Sequence, residues 1–245
     1  DFFSNIGAKL SNKIKQTKNS FRLYLRNRNK NTIFINPVCK EEISACIKNT
    51  LKSGKSNGHN SLPTSLMKMV SDRISLPLST MINNSFKSGT FPDNLKLGKI
   101  IPIHKKGSKL DCSNYRPISL LSNIGKIFEK VMHNKIYQFL DKYNCFYKFQ
   151  FGFRKKHSAN HTLIEITEKI SEALDQGKYA CGVFIDLKKA FDTVNHDILL
   201  SKLYHYGIRG LILDWFKSYL SGRMQMVCID GVYSNINACS IGVPQ

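Results

Sequence analysis

Apolar residues recur along this chain with two periods, and the alternation between them sketches the fold. Between Lys40 and Lys52, Ile43, Cys46, Ile47 and Leu51 fall at i, i+3, i+4 and i+8, with Glu41 and Glu42 where carboxylates favour a first helical turn. A polar, glycine-bearing loop over Ser53 to Asn60 follows, then a second helix near Pro63 to Val70. Lys99 to His104 reads as a strand that Pro102 confines to an edge or a bulge. The basic turn Lys105-Lys106-Gly107-Ser108 and the extended Asn114 to Ile118 complete a basic-tipped hairpin. Helical spacing returns at Ile124, Ile127, Phe128, Val131 and Met132. It returns again at Leu163, Ile166, Ile170, Ala173 and Leu174 before Gly177, and both stripes read as core faces.

Tyr179 to Ile185 is a short apolar run after a glycine stop, the pattern of a buried strand, and it ends in Asp186. Asn195 can cap a helix that turns Ile198, Leu199 and Leu203 inward and stops at Gly207. A further helix puts Leu211, Ile212, Trp215, Phe216 and Tyr219 on one face, ending at Gly222. Two β-prone stretches, 224–229 and 232–238, then flank Asp230-Gly231, whose residues suit the positive φ of a tight hairpin turn. The expected order is helices and a basic hairpin, then strand, helix, helix, hairpin.

Composition sharpens this picture. The 245 residues are 42% apolar and 11% aromatic, enough for a substantial core, and no apolar run approaches the roughly 18 residues of a membrane span. Seven cysteines without a C-x-x-C pair argue against a disulfide framework or a cysteine-built zinc site. Lys and Arg number 37 against 17 Asp and Glu, a net charge of +20 that points to a polyanion. With ten Tyr and fifteen Phe among them, nucleic acid fits better than a membrane surface. Eight of the basic residues fall in the first thirty positions, among too few apolar ones for a firm core element, so residues 1–36 read as a basic segment, either a solvated tail or a nucleic-acid arm. A chain that begins at Asp1 and stops in the turn-like Gly242-Val243-Pro244-Gln245 reads as a fragment.

The sharpest chemical feature is Asp186 at the end of an expected strand. It can ligate a hard cation such as Mg²⁺ or cap the following turn. Gly54-Lys55-Ser56 is no phosphate loop, because that motif needs a glycine at position 49, which is Asn. His157 and His161 lack an acidic or cysteine third ligand nearby, and neither a Gly-x-Ser-x-Gly elbow nor a Gly-x-Gly-x-x-Gly turn occurs.

Taken in order, the motifs resemble the reverse transcriptase domain of a non-LTR retrotransposon. They are Lys55-Ser56-Asn57-Gly58 with Leu62-Pro63; Gly89-Thr90-Phe91-Pro92; Ile101 to Gly107; Asn114 to Leu120; Gln150-Phe151-Gly152-Phe153-Arg154; Ser158 to Thr162; Phe184 to Asp192 with Val194-Asn195-His196; and Gly242 to Gln245. The resemblance implies an α+β, right-hand polymerase fold with fingers over 37–175 and an incomplete palm over 176–245. It implies an RNA-directed DNA polymerase (reverse transcriptase) that adds deoxynucleotides to a primer 3′-hydroxyl on an RNA template with two Mg²⁺ or Mn²⁺ ions. Asp186 matches the first catalytic aspartate, with the carbonyl of Leu187 as a further metal ligand. Phe191 matches the aromatic residue under the sugar that excludes a 2′-hydroxyl, and Arg116 the arginine on the triphosphate, with Lys105 or Lys106 adding charge. Gln245 matches the glutamine near the nucleotide's 3′-hydroxyl. Gln150, Gly152, Phe153 and Arg154 match the segment along the template, as do Lys55 and Ser56.

Two departures temper the resemblance. The chain has no Asp-Asp pair, so it ends before the aromatic-x-Asp-Asp hairpin that carries the other metal-binding carboxylates, and the thumb is absent as well; His59 and Asn60 also differ from the family's Gly-x-Asp-x-Ile-Pro pattern. The expectation is a fragment that binds nucleic acid without polymerising. The competing readings are a non-catalytic relic or scaffold of the same fold, and a basic domain that binds acidic proteins. Priming at chromosomal DNA, the family's habit, implies an intracellular, nuclear site of action.

Overall fold

A computed structural model describes residues 2–14, 19–25, 27–52, 54, 56–59, 61–187 and 189–244, with the backbone alone for Ser4 and Asn5. The chain divides into two compact units. The first joins Asp1–Phe139 to Lys189–Gln245, and the second is Leu140–Lys188.

In the first unit the stripe over 43–51 forms α2 (Lys40–Thr50), which buries Ile43, Cys46 and Ile47 against α4 (Ser71–Ser88). Between them lies the short α3 (Thr64–Met69), and Gly89 ends α4 in the left-handed conformation at φ 64°. Helix α4 has no clear apolar stripe in sequence because Pro77 and several serines interrupt it. Ser79 and Thr80 turn their hydroxyls onto the Leu76 carbonyl, and Leu78, Ile82 and Phe86 pack inward.

Helices α5 (Asn123–Lys142), α7 (His196–His205) and α8 (Leu211–Leu220) form where the pattern places them, but the inward face expected of α7 is not found: it has no buried residue and Ile198 is exposed, as is Leu211 at the start of α8. The Asn195 side chain caps α7 by accepting from the Ile198 amide at 3.0 Å. The core centres on aromatic rings. Phe91 meets Trp215, Tyr219 and Phe128 edge-on at centroid distances of 5.3, 5.0 and 5.8 Å, and Trp215 stacks on Tyr219 at 5.4 Å. The indole N–H of Trp215 donates to Ser85 Oγ at 2.9 Å, so the ring is buried with its polar edge satisfied.

The sheet is mixed. Strands β1 (Leu97–His104) and β2 (Tyr115–Leu120) form the expected hairpin, and β1 also pairs in parallel with β3 (Arg223–Ile229) from Leu97 to Ile100. Strands β4 (Val232–Tyr233) and β5 (Asn237–Cys239) return antiparallel to β3. Pro102 sits beyond the last β3 contact, opposite Pro117, so neither missing N–H interrupts a ladder bond. The hairpin tip is longer than a four-residue turn: Lys105 N–H donates to the Asn114 carbonyl at 2.9 Å, and 106–113 form the loop.

The amino-terminal residues depart from expectation. Phe2–Ser11 forms a helix, α1, that packs on β3 and β5 and buries Ile6 and Gly7. Its apolar face is short and broken by a glycine, which hides it from a periodicity test.

The second unit departs further. Helix α6 (Ala159–Asp175) forms where the pattern places it, but its stripe is no core face: Leu163, Ile166, Ile170 and Leu174 are all exposed. The expected buried strand over 179–185 is neither buried nor a strand. Residues 178–187 pair with no strand among the described residues, and Phe184 is 91% exposed. A strand needs a neighbour for its backbone groups, and a unit this small has too little apolar surface to enclose a helix and a strand. No described helix is long and apolar enough to cross a membrane.

Candidate nucleotide and nucleic-acid site

The first unit brings together two segments some fifty residues apart. The turn at 189–194, which carries Phe191, is bonded to 242–243: Val243 N–H donates to the Phe191 carbonyl and Gly242 N–H to the Val194 carbonyl, both at 2.9 Å. His196 Nε2 lies 2.7 Å from the Gly242 carbonyl and ties the start of α7 to the same segment. Gly242 has φ +83°, and a Cβ there would stand 2.9 Å from the Phe191 carbonyl oxygen and 2.8 Å from that of Asp192, so glycine alone fits. Phe191 is 38% exposed. Asp192 is half-buried, and burial raises its carboxyl pKa, an effect Lys189 partly offsets. Gln245 lies outside the described residues.

Arg116 projects from β2, exposed and in register with Ile103. Exposed Lys105 and Lys106 begin the hairpin tip. The Asn114 amide steadies that tip by donating to the Ser108 carbonyl at 3.0 Å, and Gly107, at φ +83°, packs so closely on Asn114 that a Cβ would lie 2.7 Å from Nδ2. The loop before α3 is anchored just as closely. Asn123, 1% exposed at the start of α5, donates Nδ2 to the Leu62 carbonyl (2.8 Å), Asn57 Oδ1 (3.0 Å) and Thr64 Oγ1 (3.1 Å), while its amide N–H reaches Ser61 Oγ at 2.9 Å. Gly58 passes so near Leu121 that a Cβ would lie 2.5 Å from its carbonyl carbon. Ser56 is exposed on this loop, and Lys55 lies outside the described residues. Asn123 does not stand out in the sequence, since its partners lie about sixty residues away along the chain, and the motif that contains His196 does not disclose the bond it makes to Gly242.

In the second unit, Arg154 is held by Nη1 donation to the Tyr147 carbonyl at 3.2 Å, with its guanidinium 5.2 Å from the centre of the Phe146 ring. Gln150 and Gly152 are exposed, and Phe153 is 89% exposed with φ +61°, a strained conformation for an aromatic residue. Asp186 and Leu187 lie exposed on 178–187. Among the described residues no three His, Cys, Asp or Glu side chains come together to hold a metal ion. Asp186 is therefore not part of such a cluster among the described residues.

Known proteins resemble this chain over most of its length. The reverse transcriptase (RNA-dependent DNA polymerase) family matches residues 103–245, more than half of the chain. The chain is 34% identical over 218 residues to the probable RNA-directed DNA polymerase from transposon BS of Drosophila melanogaster. It is also 34% identical over 212 residues to the RNA-directed DNA polymerase from mobile element jockey of the same fly. Each match covers 86% of this chain and 23% of the relative, so the chain spans about a quarter of their length. A more distant relative, the transposon TX1 uncharacterized 149 kDa protein of Xenopus laevis, is 22% identical over 79% of the chain and 15% of its own length. The chain belongs to the reverse transcriptase family, among the reverse transcriptase domains of non-LTR retrotransposons.

Proposed function

We propose that this chain forms the fingers, over 37–175, and the first part of the palm, over 176–245, of an RNA-directed DNA polymerase that extends a primer on an RNA template with deoxynucleoside triphosphates. The observation that carries the reading is the bonding of the Phe191 turn to 242–243. Residues matched to the sugar side of the nucleotide pocket and to the segment before Gln245 converge there from distant parts of the chain. Phe191 screens the sugar: a flat ring fills the space of a 2′-hydroxyl and offers it no hydrogen bond. Arg116 holds the triphosphate with a planar fork of donors. Lys105 or Lys106, both exposed at the hairpin tip, adds charge for the same phosphates. In the second unit the exposed Phe153 and the fixed Arg154 guanidinium suit a single-stranded template, as stacking surface and charge.

Asp186 is one ligand for the divalent ions the family uses, and the remaining carboxylates come from outside these residues. The 245 residues alone therefore bind nucleic acid without extending a primer, and action on chromosomal DNA would take place in the nucleus. The test is steady-state extension on an RNA template by a polymerase that extends this chain to the length of its relatives. Arg116→Ala should raise the KM for deoxynucleotide on the order of 10- to 100-fold, the worth of a charge-assisted hydrogen bond, and leave RNA affinity within about twofold. An unchanged KM would refute the assignment.

A further inference from the structure

Helix α1 meets the Phe191 turn through a contact that only glycine allows. Gly7 is buried in the middle of α1, where glycine weakens a helix relative to alanine. A Cβ on Gly7 would run into the Asp192 carbonyl oxygen and approach Ile241 Cγ2 at 3.0 Å. Gly242 approaches the same carbonyl, and a Cβ there would stand 2.8 Å from that oxygen. The Asp192 peptide is thus met closely by two glycines, one on α1 and one on the segment bonded to Phe191. The Lys189 ammonium, at the start of the turn, lies 5.5 Å from the centre of the Phe2 ring, and Phe3 and Ile6 line one cavity with Asp192, Ile241 and Gly242.

We propose that Gly7 is a positioning residue for sugar selection: by letting α1 close on the Asp192 peptide it fixes the turn that presents Phe191. The proposal rests on the reading of Phe191 as the residue that screens the 2′-position. A Cβ at position 7 must push the turn or the helix aside, and a displacement approaching 1 Å at a reacting site can cost on the order of 10²-fold. The direction is diagnostic. Alanine is the better helix former, so a Gly7 that served α1 alone would be improved by the change.

The test compares kcat/KM for deoxynucleotides and ribonucleotides in a polymerase that extends this chain to the length of its relatives. Gly7→Ala should reduce the preference for deoxynucleotides at least about tenfold while RNA affinity holds. Amide exchange at Gly242 and Val243 should quicken. Ile6→Ala, which unseats α1 without a clash, should relax the preference in the same direction and decides the matter if Gly7→Ala does not fold. If Phe191→Ala relaxes selection while both α1 variants select as the parent does, the inference is overturned and the reading of Phe191 stands. Unchanged selection in all three variants overturns both.

Discussion

Asn123→Ala provides a demanding test of how the loop before α3 is held. The Leu62 carbonyl can only accept, which fixes the orientation of the Asn123 amide with Nδ2 toward the loop. Two amide hydrogens serve three acceptors at 2.8, 3.0 and 3.1 Å, so two bonds are made at a time, each worth about 0.5–1.5 kcal/mol net. Truncation also removes this donor from the Leu62 carbonyl and opens a small cavity at a site 1% exposed, adding about 1 kcal/mol. The expected loss is about 2–4 kcal/mol, a large share of the stability of an ordinary domain. Asn123→Asp keeps the shape but replaces the donor to the Leu62 carbonyl by an acceptor, and should cost at least as much once ionised. Urea unfolding of the 245-residue chain measures both, with cleavage of 56–62 by a dilute protease as a local readout. If both variants stay within about 0.5 kcal/mol of the parent, the Asn123 bonds do not hold the loop.

Three further outcomes are expected. Glu129 is raised chiefly by burial, against the bond it accepts from Tyr219 at 2.5 Å and the charges of Arg223 and Lys126. The folded state therefore holds its proton more tightly than the unfolded state. Stability from this group is complete below 4.5 and is lost as pH rises through the raised value, so the advantage of Glu129→Gln over the parent should grow with pH across that window in unfolding titrations. Trp215→Phe should cost about 2 kcal/mol, from the Ser85 bond and the smaller ring, in thermal or urea unfolding. RNA binding by the 245-residue chain, if it engages about 6–10 phosphates, should weaken about 10³–10⁵-fold between roughly 50 and 200 mM salt; a flat response in a fluorescence titration would favour an acidic protein partner instead.

The helices were legible where one face of a regular stripe meets another element, as in α2, α5 and α8. They were obscure where local chemistry breaks the stripe, at Pro77 in α4 and Gly7 in α1. Exposure in the second unit was not legible at all. An apolar run such as 179–185 states what a segment would bury, and only a neighbouring strand decides whether it does. Division into compact units was equally hidden, because the parallel pairing of β1 with β3 joins 97–100 to 224–227 across the second unit's sequence and no composition change marks it. Of the candidate site, the resemblance supplied Arg116 and Phe191 and the motifs that contain His196 and Gly242, whereas Asn123 and Gly7, and the bond between His196 and Gly242, emerged from contacts remote in sequence.

The central claim is that these residues form the nucleotide-facing part of an RNA-copying polymerase. It is tested most directly by primer extension on an RNA template, comparing Asp186→Asn with the parent in a polymerase that extends this chain to the length of its relatives. The account predicts extension with deoxynucleotides by the parent, and loss of extension in Asp186→Asn with RNA affinity retained. Extension that survives Asp186→Asn, or a parent enzyme that binds RNA and extends nothing, would contradict it.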